Sequence, residues 1–297
     1  MIVRSGEVDL VFDEWGCGDP PLVLLHGFAN SRADWADVAP ALAADRRVIA
    51  YDQRGHGDST KIGRRDSYSI SHLVDDLAFF IAERRLAPID LLGHSLGGIV
   101  AMQFAAAHCE QLRSLILTNA AAAPVAPVAA PAIERLAAIG RERGMASLAD
   151  FLGGIRDRGP QSVPVDAVQR ERARRNIARA DVEAFAALGV EIGSYDSVLA
   201  AMPTLALPVT VIVGEHDTLI RAACQELAAA IAGARFEVIV NAAHEPHQEN
   251  SAGWLAAVRA HLARLSPPDG AAASPPRAAA AGDGDGDGDG NGNGNGN

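Results

Sequence analysis

The chain has one lysine, three cysteines and no apolar run long enough to span a bilayer, and each shortage excludes a class of function. A membrane helix needs about 20 consecutive apolar residues. The Ala-rich stretch from Asn119 to Ile133 is interrupted by Pro124, Pro127 and Pro131, which forbid such a helix there. The opening residues, Met1-Ile2-Val3-Arg4-Ser5-Gly6-Glu7, lack the apolar core of a secretory signal. Cys17, Cys109 and Cys224 are odd in number, far apart and without metal-ligand spacing, so free thiols are expected rather than a disulfide framework or zinc site. Together these features predict a cytoplasmic protein with no membrane partner. Lys61 stands alone among lysines, and the formal charge is -11 at pH 7. Such a surface repels phosphate backbones, so no nucleic-acid partner is expected. Part of the charge comes from Asp269, Asp283, Asp285, Asp287 and Asp289, in a tail whose only basic residue is Arg277.

With 297 residues, 48% of them apolar, the chain can bury one large core. Short β-branched runs alternate with longer Ala/Leu-rich segments, the pattern of βαβ units around a mostly parallel, twisted sheet flanked by helices. Val8 to Trp15 can pair with Ile2 to Arg4 as an opening hairpin. Strands are predicted at Leu22–Leu25, Arg47–Tyr51, Ile89–Leu92 and Leu115–Thr118, with helices over Asp34–Ala44, Ser71–Arg85 and Leu96–His108. From residue 121 to 207 the alternation gives way to helix-like pieces broken at Gly153-Gly154, Pro160 and Pro164. Leu136, Ile139, Leu148, Phe151, Ile155, Phe185, Leu188, Ile192 and Leu199 recur there at helical spacing and are expected to form its core. Strands and helices alternate again with Val209–Val213, Arg221–Ile231, Phe236–Val240 and Ala252–Leu265. The organisation is therefore an α/β core over 1–120 and 208–266, with residues 121–207 as a helical lid inserted after the sixth strand. Residues 267–297, ending in Gly-Asp and Gly-Asn repeats, hold too little apolar surface to offset ordering entropy and are expected to be disordered.

Gly93-His94-Ser95-Leu96-Gly97 fits G-x-S-x-G between a predicted strand and a predicted helix. That context marks a nucleophile elbow, whose serine is held on a strained turn with its hydroxyl exposed above the strand ends. A serine hydroxyl attacks at neutral pH only if a base takes its proton. Among nine histidines, His244 follows the predicted strand Phe236–Val240 and so lies at the same end of the sheet. Position after a strand leaves two acids open, Asp217 and Glu215, both just beyond Val209–Val213.

The order Ser95, acid, histidine after the final strand resembles the α/β-hydrolase superfamily, and the likeness covers about residues 8 to 265. The segment His244-Glu245-Pro246-His247-Gln248-Glu249 is similar to the family's terminal histidine motif. The match selects His244 as base over His247, which is read as a rim or structural residue. It also favours Asp217 over Glu215 as the acid that orients the imidazole. Some relatives place that acid after the sixth strand, where this chain reads Thr118-Asn119-Ala120. His26-Gly27-Phe28 resembles the loop that supplies half of the family's oxyanion hole, which implies the backbone N–H groups of Phe28 and Leu96 as donors. His26 is read as a loop brace, and the charged residues of Asp52-Gln53-Arg54-Gly55-His56-Gly57-Asp58-Ser59 as structural.

The resemblance implies acyl transfer without cofactor or metal, on a small, fairly apolar ester or lactone. It is broadest towards 3-oxoadipate enol-lactonases, small carboxylesterases and cofactor-free haloperoxidases. Serine at the elbow argues against the alkyl-enzyme chemistry of haloalkane dehalogenases and epoxide hydrolases. Two alternatives stay open: a carbon-carbon bond hydrolase or acyltransferase on the same three residues, and a receptor of this fold with slow turnover.

Overall fold

A single sheet of eight strands organises the computed structural model. The strands are β1 (Ile2–Ser5), β2 (Val8–Trp15), β3 (Leu22–Leu25), β4 (Val48–Tyr51), β5 (Ile89–His94), β6 (Leu112–Thr118), β7 (Val209–Gly214) and β8 (Arg235–Ile239). The structure describes residues 1–125, 130–158 and 163–265, so the expectation for the tail over 267–297 lies outside them. Their spatial order is β1-β2-β4-β3-β5-β6-β7-β8. β1 and β2 form the opening hairpin, β2 meets β4 antiparallel, and every later pairing is parallel.

The central strands are apolar on both sides because both faces are covered. Along β3, Val23 and Leu25 enter one buried cluster while Leu22 and Leu24 enter the other. The first cluster packs against α2 (Ile70–Arg84), α3 (Leu96–His108) and α8 (Arg221–Ala230); the second holds Trp35 and Trp254. Parallel strands buried on two faces read as continuous apolar runs, which is why Leu22–Leu25 is recognisable without alternation. All parallel strands end at one rim, and their carboxyl-terminal loops meet there.

The helix expected over Asp34–Ala44 is instead two short pieces. Ser31 caps a 3-10 turn, Arg32–Trp35, and α1 (Ala39–Leu42) starts afresh with Pro40 in its first turn. Pro40 lacks the N–H that would bond to the carbonyl of Ala36, and its ring would collide with that carbonyl in a continuous helix. By contrast, α2 matches its expected span within a residue at each end. Ser69 accepts the N–H of His72 at its start, and Arg85 closes it in the left-handed region with φ 51°.

Between β6 and β7 lie α4 (Ala130–Arg143), α5 (Met145–Arg158), α6 (Ala167–Ala178), α7 (Val182–Glu191) and a 3-10 turn at Leu199–Thr204. The break expected at Gly153-Gly154 does not occur, because α5 runs through both. Glycine inside a helix costs about 1 kcal/mol but does not forbid it. Pro164 does stand between α5 and α6, whereas Pro160 lies outside the described residues. Ala137, Leu148, Phe185 and Ala186 form a small core with Ala29. Phe151 and Ile155, expected in that core, are 44% and 47% exposed; helical spacing identifies an apolar stripe but not which members a neighbouring helix covers. Polar contacts fasten the segment to loops and a helix end around the sheet. Ser31 Oγ donates to Asn176 Oδ1 and Asn176 Nδ2 donates to Asp34 Oδ1, both at 2.7 Å. Asp181 accepts the Gly63 N–H at 2.8 Å, and Glu191 accepts that of Ile70 at 2.9 Å. Beyond β8, α9 (Pro246–Glu249) and α10 (Ser251–Leu262) complete the second face. Among the described residues no helix is long and apolar enough to cross a membrane.

Candidate active site

Ser95 occupies the single residue between β5 and α3, at φ 51° and ψ -116°. A residue with a side chain held at positive φ stores roughly 1–3 kcal/mol, so its surroundings must enforce it. The Ser95 N–H donates to Thr118 O at 3.0 Å, while its carbonyl accepts from Gly98 and Ile99 at 2.9 and 3.1 Å. Close packing explains the flanking glycines. A Cβ at Gly93 would lie 2.3 Å from the Gly97 carbonyl oxygen, and one at Gly97 would lie 2.4 Å from that of Leu25. Only glycine fits either place.

The three residues singled out as nucleophile, base and acid come together. The Ser95 hydroxyl donates to His244 Nε2 at 3.0 Å, and His244 Nδ1–H donates to Asp217 Oδ2 at 2.7 Å. Ser95 and His244 are 149 residues apart in sequence, and His244 and Asp217 are 27 apart. Asp217 sits in the turn after β7 and His244 in the turn after β8, which brings both to the rim where β5 ends. Glu215 points elsewhere: its carboxylate accepts the backbone N–H of Asn241 at 2.9 Å.

Several supporting contacts were not foreseen from the sequence. Asn119, fully buried at φ 46°, donates Nδ2–H to Asp217 Oδ2 at 2.7 Å and to Ala243 O at 3.0 Å. Its own N–H donates to Ile212 O at 2.8 Å. It stands after β6, where some relatives carry the acid itself, and that position was the available signal. His94 donates Nε2–H to the His244 carbonyl at 2.7 Å. Glu249 accepts the N–H groups of Ala243 and Glu245 at 2.6 and 3.2 Å, which shapes the turn carrying His244.

The remaining candidates are braces. His247 is buried, its ring 4.6 Å from that of Trp35 and 4.8 Å from that of His94, and it does not line the cleft. His26 donates Nδ1–H to Gly27 O at 2.8 Å and accepts the Gln53 N–H on Nε2 at 3.0 Å. In the loop after β4, Asp52 accepts the N–H groups of Arg32 and Asp58, both at 2.7 Å, and pairs with the Arg32 guanidinium. Arg54 makes a two-pronged pair with Asp76 at 2.6 Å. The N–H groups of Phe28 and Leu96 have no acceptor among the described residues. Gly27 lets this loop approach the elbow, since a Cβ there would lie 2.9 Å from His94 Nδ1 and 3.4 Å from Ser95 Cβ.

The charges of the site are mutually tuned. Burial works against the charged form of His244, but its side chain is 47% exposed, and the hydrogen bond to Asp217 with the negative charge of Asp217, Glu245 and Glu249 outweighs that. Its pKa is raised. Burial pushes the Asp217 carboxyl upwards, yet the bonds from His244 and Asn119 carry it below the ordinary carboxylate range. Burial, then the charge of His244, pushes His94 down to about 4. At neutral pH His94 is an uncharged donor, and Asp217 an anion. Over the triad opens a cavity of about 340 Å³ with a largely apolar wall that includes Phe28, Ile99, Ala121, Val125, Ile192 and Leu219. Among the described residues no group of three or more His, Cys, Asp or Glu side chains is arranged to hold a metal ion.

A model of the alpha/beta hydrolase fold matches residues 20–251. A Bacillus subtilis (strain 168) protein provisionally named 2-succinyl-6-hydroxy-2,4-cyclohexadiene-1-carboxylate synthase is 29% identical over 264 residues, covering 84% of this chain and 92% of that one. Several other curated relatives are matched over less than half their length. One is the pimeloyl-[acyl-carrier protein] methyl ester esterase of Aeromonas hydrophila, 43% identical over 97 residues that cover 33% of this chain and 36% of that protein. Among solved structures, a thermophilic esterase from Thermogutta terrifontis superposes with a TM-score of 0.74 at 28% identity, over 89% of this chain and 96% of that one. The enol-lactonase from Burkholderia xenovorans LB400 does so with a TM-score of 0.74 at 26% identity, over 89% and 100%. The family match spans most of the sheet and every strand end that carries the site, and the chain belongs to the alpha/beta hydrolase fold family.

Proposed function

We propose that this protein is a serine hydrolase that cleaves a carboxylic ester or lactone of a small, fairly apolar substrate through an acyl-enzyme on Ser95. The observation that carries the reading is the unbroken hydrogen-bonded line from Ser95 through His244 to Asp217. Kinship with an esterase and an enol-lactonase supports hydrolysis of esters.

In this mechanism Ser95 Oγ attacks the carbonyl carbon as His244 Nε2 takes its proton, and Asp217 stabilises the imidazolium that forms. The oxyanion receives the N–H groups of Phe28 and Leu96; removing one such donor costs on the order of 10² to 10³ in rate. His244 then protonates the leaving alcohol. Water, deprotonated by the same imidazole, attacks the acyl-enzyme and returns Ser95 with release of the acid. No cofactor or metal enters these steps. Residues 121–207 act as the lid, contributing Ala121, Val125, Ile192 and Tyr195 to the cleft wall.

A fluorophosphonate probe is expected to label Ser95, and Ser95→Ala to lower p-nitrophenyl ester turnover by about 10⁴-fold or more. Labelling at another residue, or full turnover by the variant, overturns the assignment. An acceptor alcohol added to the assay separates hydrolysis from acyl transfer by the product formed.

A further inference from the structure

Among the described residues, the lysine, arginine, aspartate and glutamate side chains that line the catalytic cleft are of one sign only. Among the described residues that line it there is no lysine or arginine. Two carboxylates do line it, Asp217 and Glu245. Asp217 is spent on His244 and Asn119. Glu245 is half-buried next to the proposed base, and among the described residues its one side-chain partner is Asn30, whose Nδ2 donates a long hydrogen bond at 3.3 Å. Its charge is felt across the site, since it contributes to raising both His244 and the buried Asp34. Arg172, whose charge also reaches Asp34, is turned away from the cleft towards Asp37 at 2.6 Å and Gln248 at 3.2 Å.

A carboxylate brought into this chamber would lose water, meet apolar side chains and face Glu245 with no lysine or arginine among the described lining residues to pair with. From this we infer that Glu245 filters substrates by charge: the cleft takes uncharged acyl groups and rejects those that carry a carboxylate. The inference rests on the ester-hydrolase reading above and narrows its substrate class. It sets this chain apart from its Bacillus subtilis relative, which is named for a product bearing a carboxylate.

The test uses two p-nitrophenyl esters of equal size, the adipate monoester with a free carboxylate and the adipamate with a carboxamide in its place. The full-length protein is expected to show a kcat/KM at least about 30-fold higher for the amide. Glu245→Gln should narrow that ratio about tenfold, mainly through KM for the anion, because like charges repel strongly in a poorly screened cleft. Raised salt should narrow the wild-type ratio in the same direction. Taking the ratio cancels any effect of the substitution on His244, which acts on both esters alike. Equal turnover of the two esters by the wild type, or a ratio that Glu245→Gln leaves unaltered, overturns the filter while leaving the hydrolase reading intact. Should neither ester turn over, labelling rates of Ser95 by carboxamide- and carboxylate-tipped alkyl fluorophosphonates measure the same preference. Failure of both probes to label Ser95 overturns the hydrolase reading, and the filter with it.

Discussion

The rim of the sheet and the helical segment above it are built by different rules. At the rim, every turn is over-determined: Gly93 and Gly97 leave no room for a Cβ, Asn119 makes three hydrogen bonds from a left-handed backbone, and Asp217 receives two donors on one oxygen. In the segment between β6 and β7, the separate core is a handful of residues, large apolar side chains such as Phe151 and Ile155 are exposed, and attachment combines a few polar contacts with the seating of Ala184, Leu188, Tyr195 and Met202 in the main core. The difference teaches a division of labour. Bond-making groups need positions fixed to fractions of an ångström, whereas a substrate-facing wall needs only the right shape and polarity.

Substitutions at the rim should therefore abolish rate, and those in the upper segment should change stability or affinity. Asp217→Asn is expected to lower kcat by about 10³- to 10⁴-fold. The proposed mechanism requires neutral His244, and the Asp217 carboxylate raises the His244 pKa, so the residual activity of the variant should extend to lower pH than that of the wild type. A pH–rate profile with an unmoved acid limb would break the pairing. Asn119→Ala removes one donor that holds Asp217 anionic and in place, and a second that ties the same amide to the Ala243 carbonyl. A tenfold to hundredfold loss of kcat is expected at roughly constant KM, about what a hydrogen bond to a charged group is worth. A loss expressed only as lowered melting temperature would reduce Asn119 to a structural role. In the upper segment, Asn176→Ala deletes two buried hydrogen bonds and should cost about 2 kcal/mol, or roughly 5 °C in Tm by calorimetry, with turnover of the folded fraction within about twofold of wild type. The smallest effect is expected for Leu219→Ser, a wall residue at the cleft mouth that lies between β7 and α8 rather than in the upper segment. That side chain is 66% exposed, so KM for an apolar ester should rise by about threefold with kcat nearly constant. A large kcat effect there would contradict the division.

Legibility in the sequence follows the same boundary. The elbow was readable because five residues, a preceding apolar run and a following helix all express one local geometry. His244, the proposed base, was singled out through a resemblance, since it stands in a recognisable segment. The choice between Asp217 and Glu215 was not settled by position after β7, because the direction of a turn side chain depends on which backbone it meets, here the N–H of Asn241 for one and the imidazole for the other. Asn119 and His94 were invisible for a related reason: each acts on a residue about 100 or more positions away, and no local pattern records that. The lost helix over Asp34–Ala44 was readable in principle from Pro40. Phe151 and Ile155 were not, because helical periodicity fixes which residues share a face and leaves open what lies opposite.

The bond from His94 to the carbonyl of His244 has a consequence for motion. The donor is the neighbour of Ser95 along the backbone, and the acceptor belongs to His244 itself. Two segments that arrive from distant parts of the chain are thus bolted together one residue away from where they react. When the cleft breathes to admit or release a molecule, the hydroxyl and imidazole travel as a pair, and their separation is buffered against the fluctuations of the walls around them.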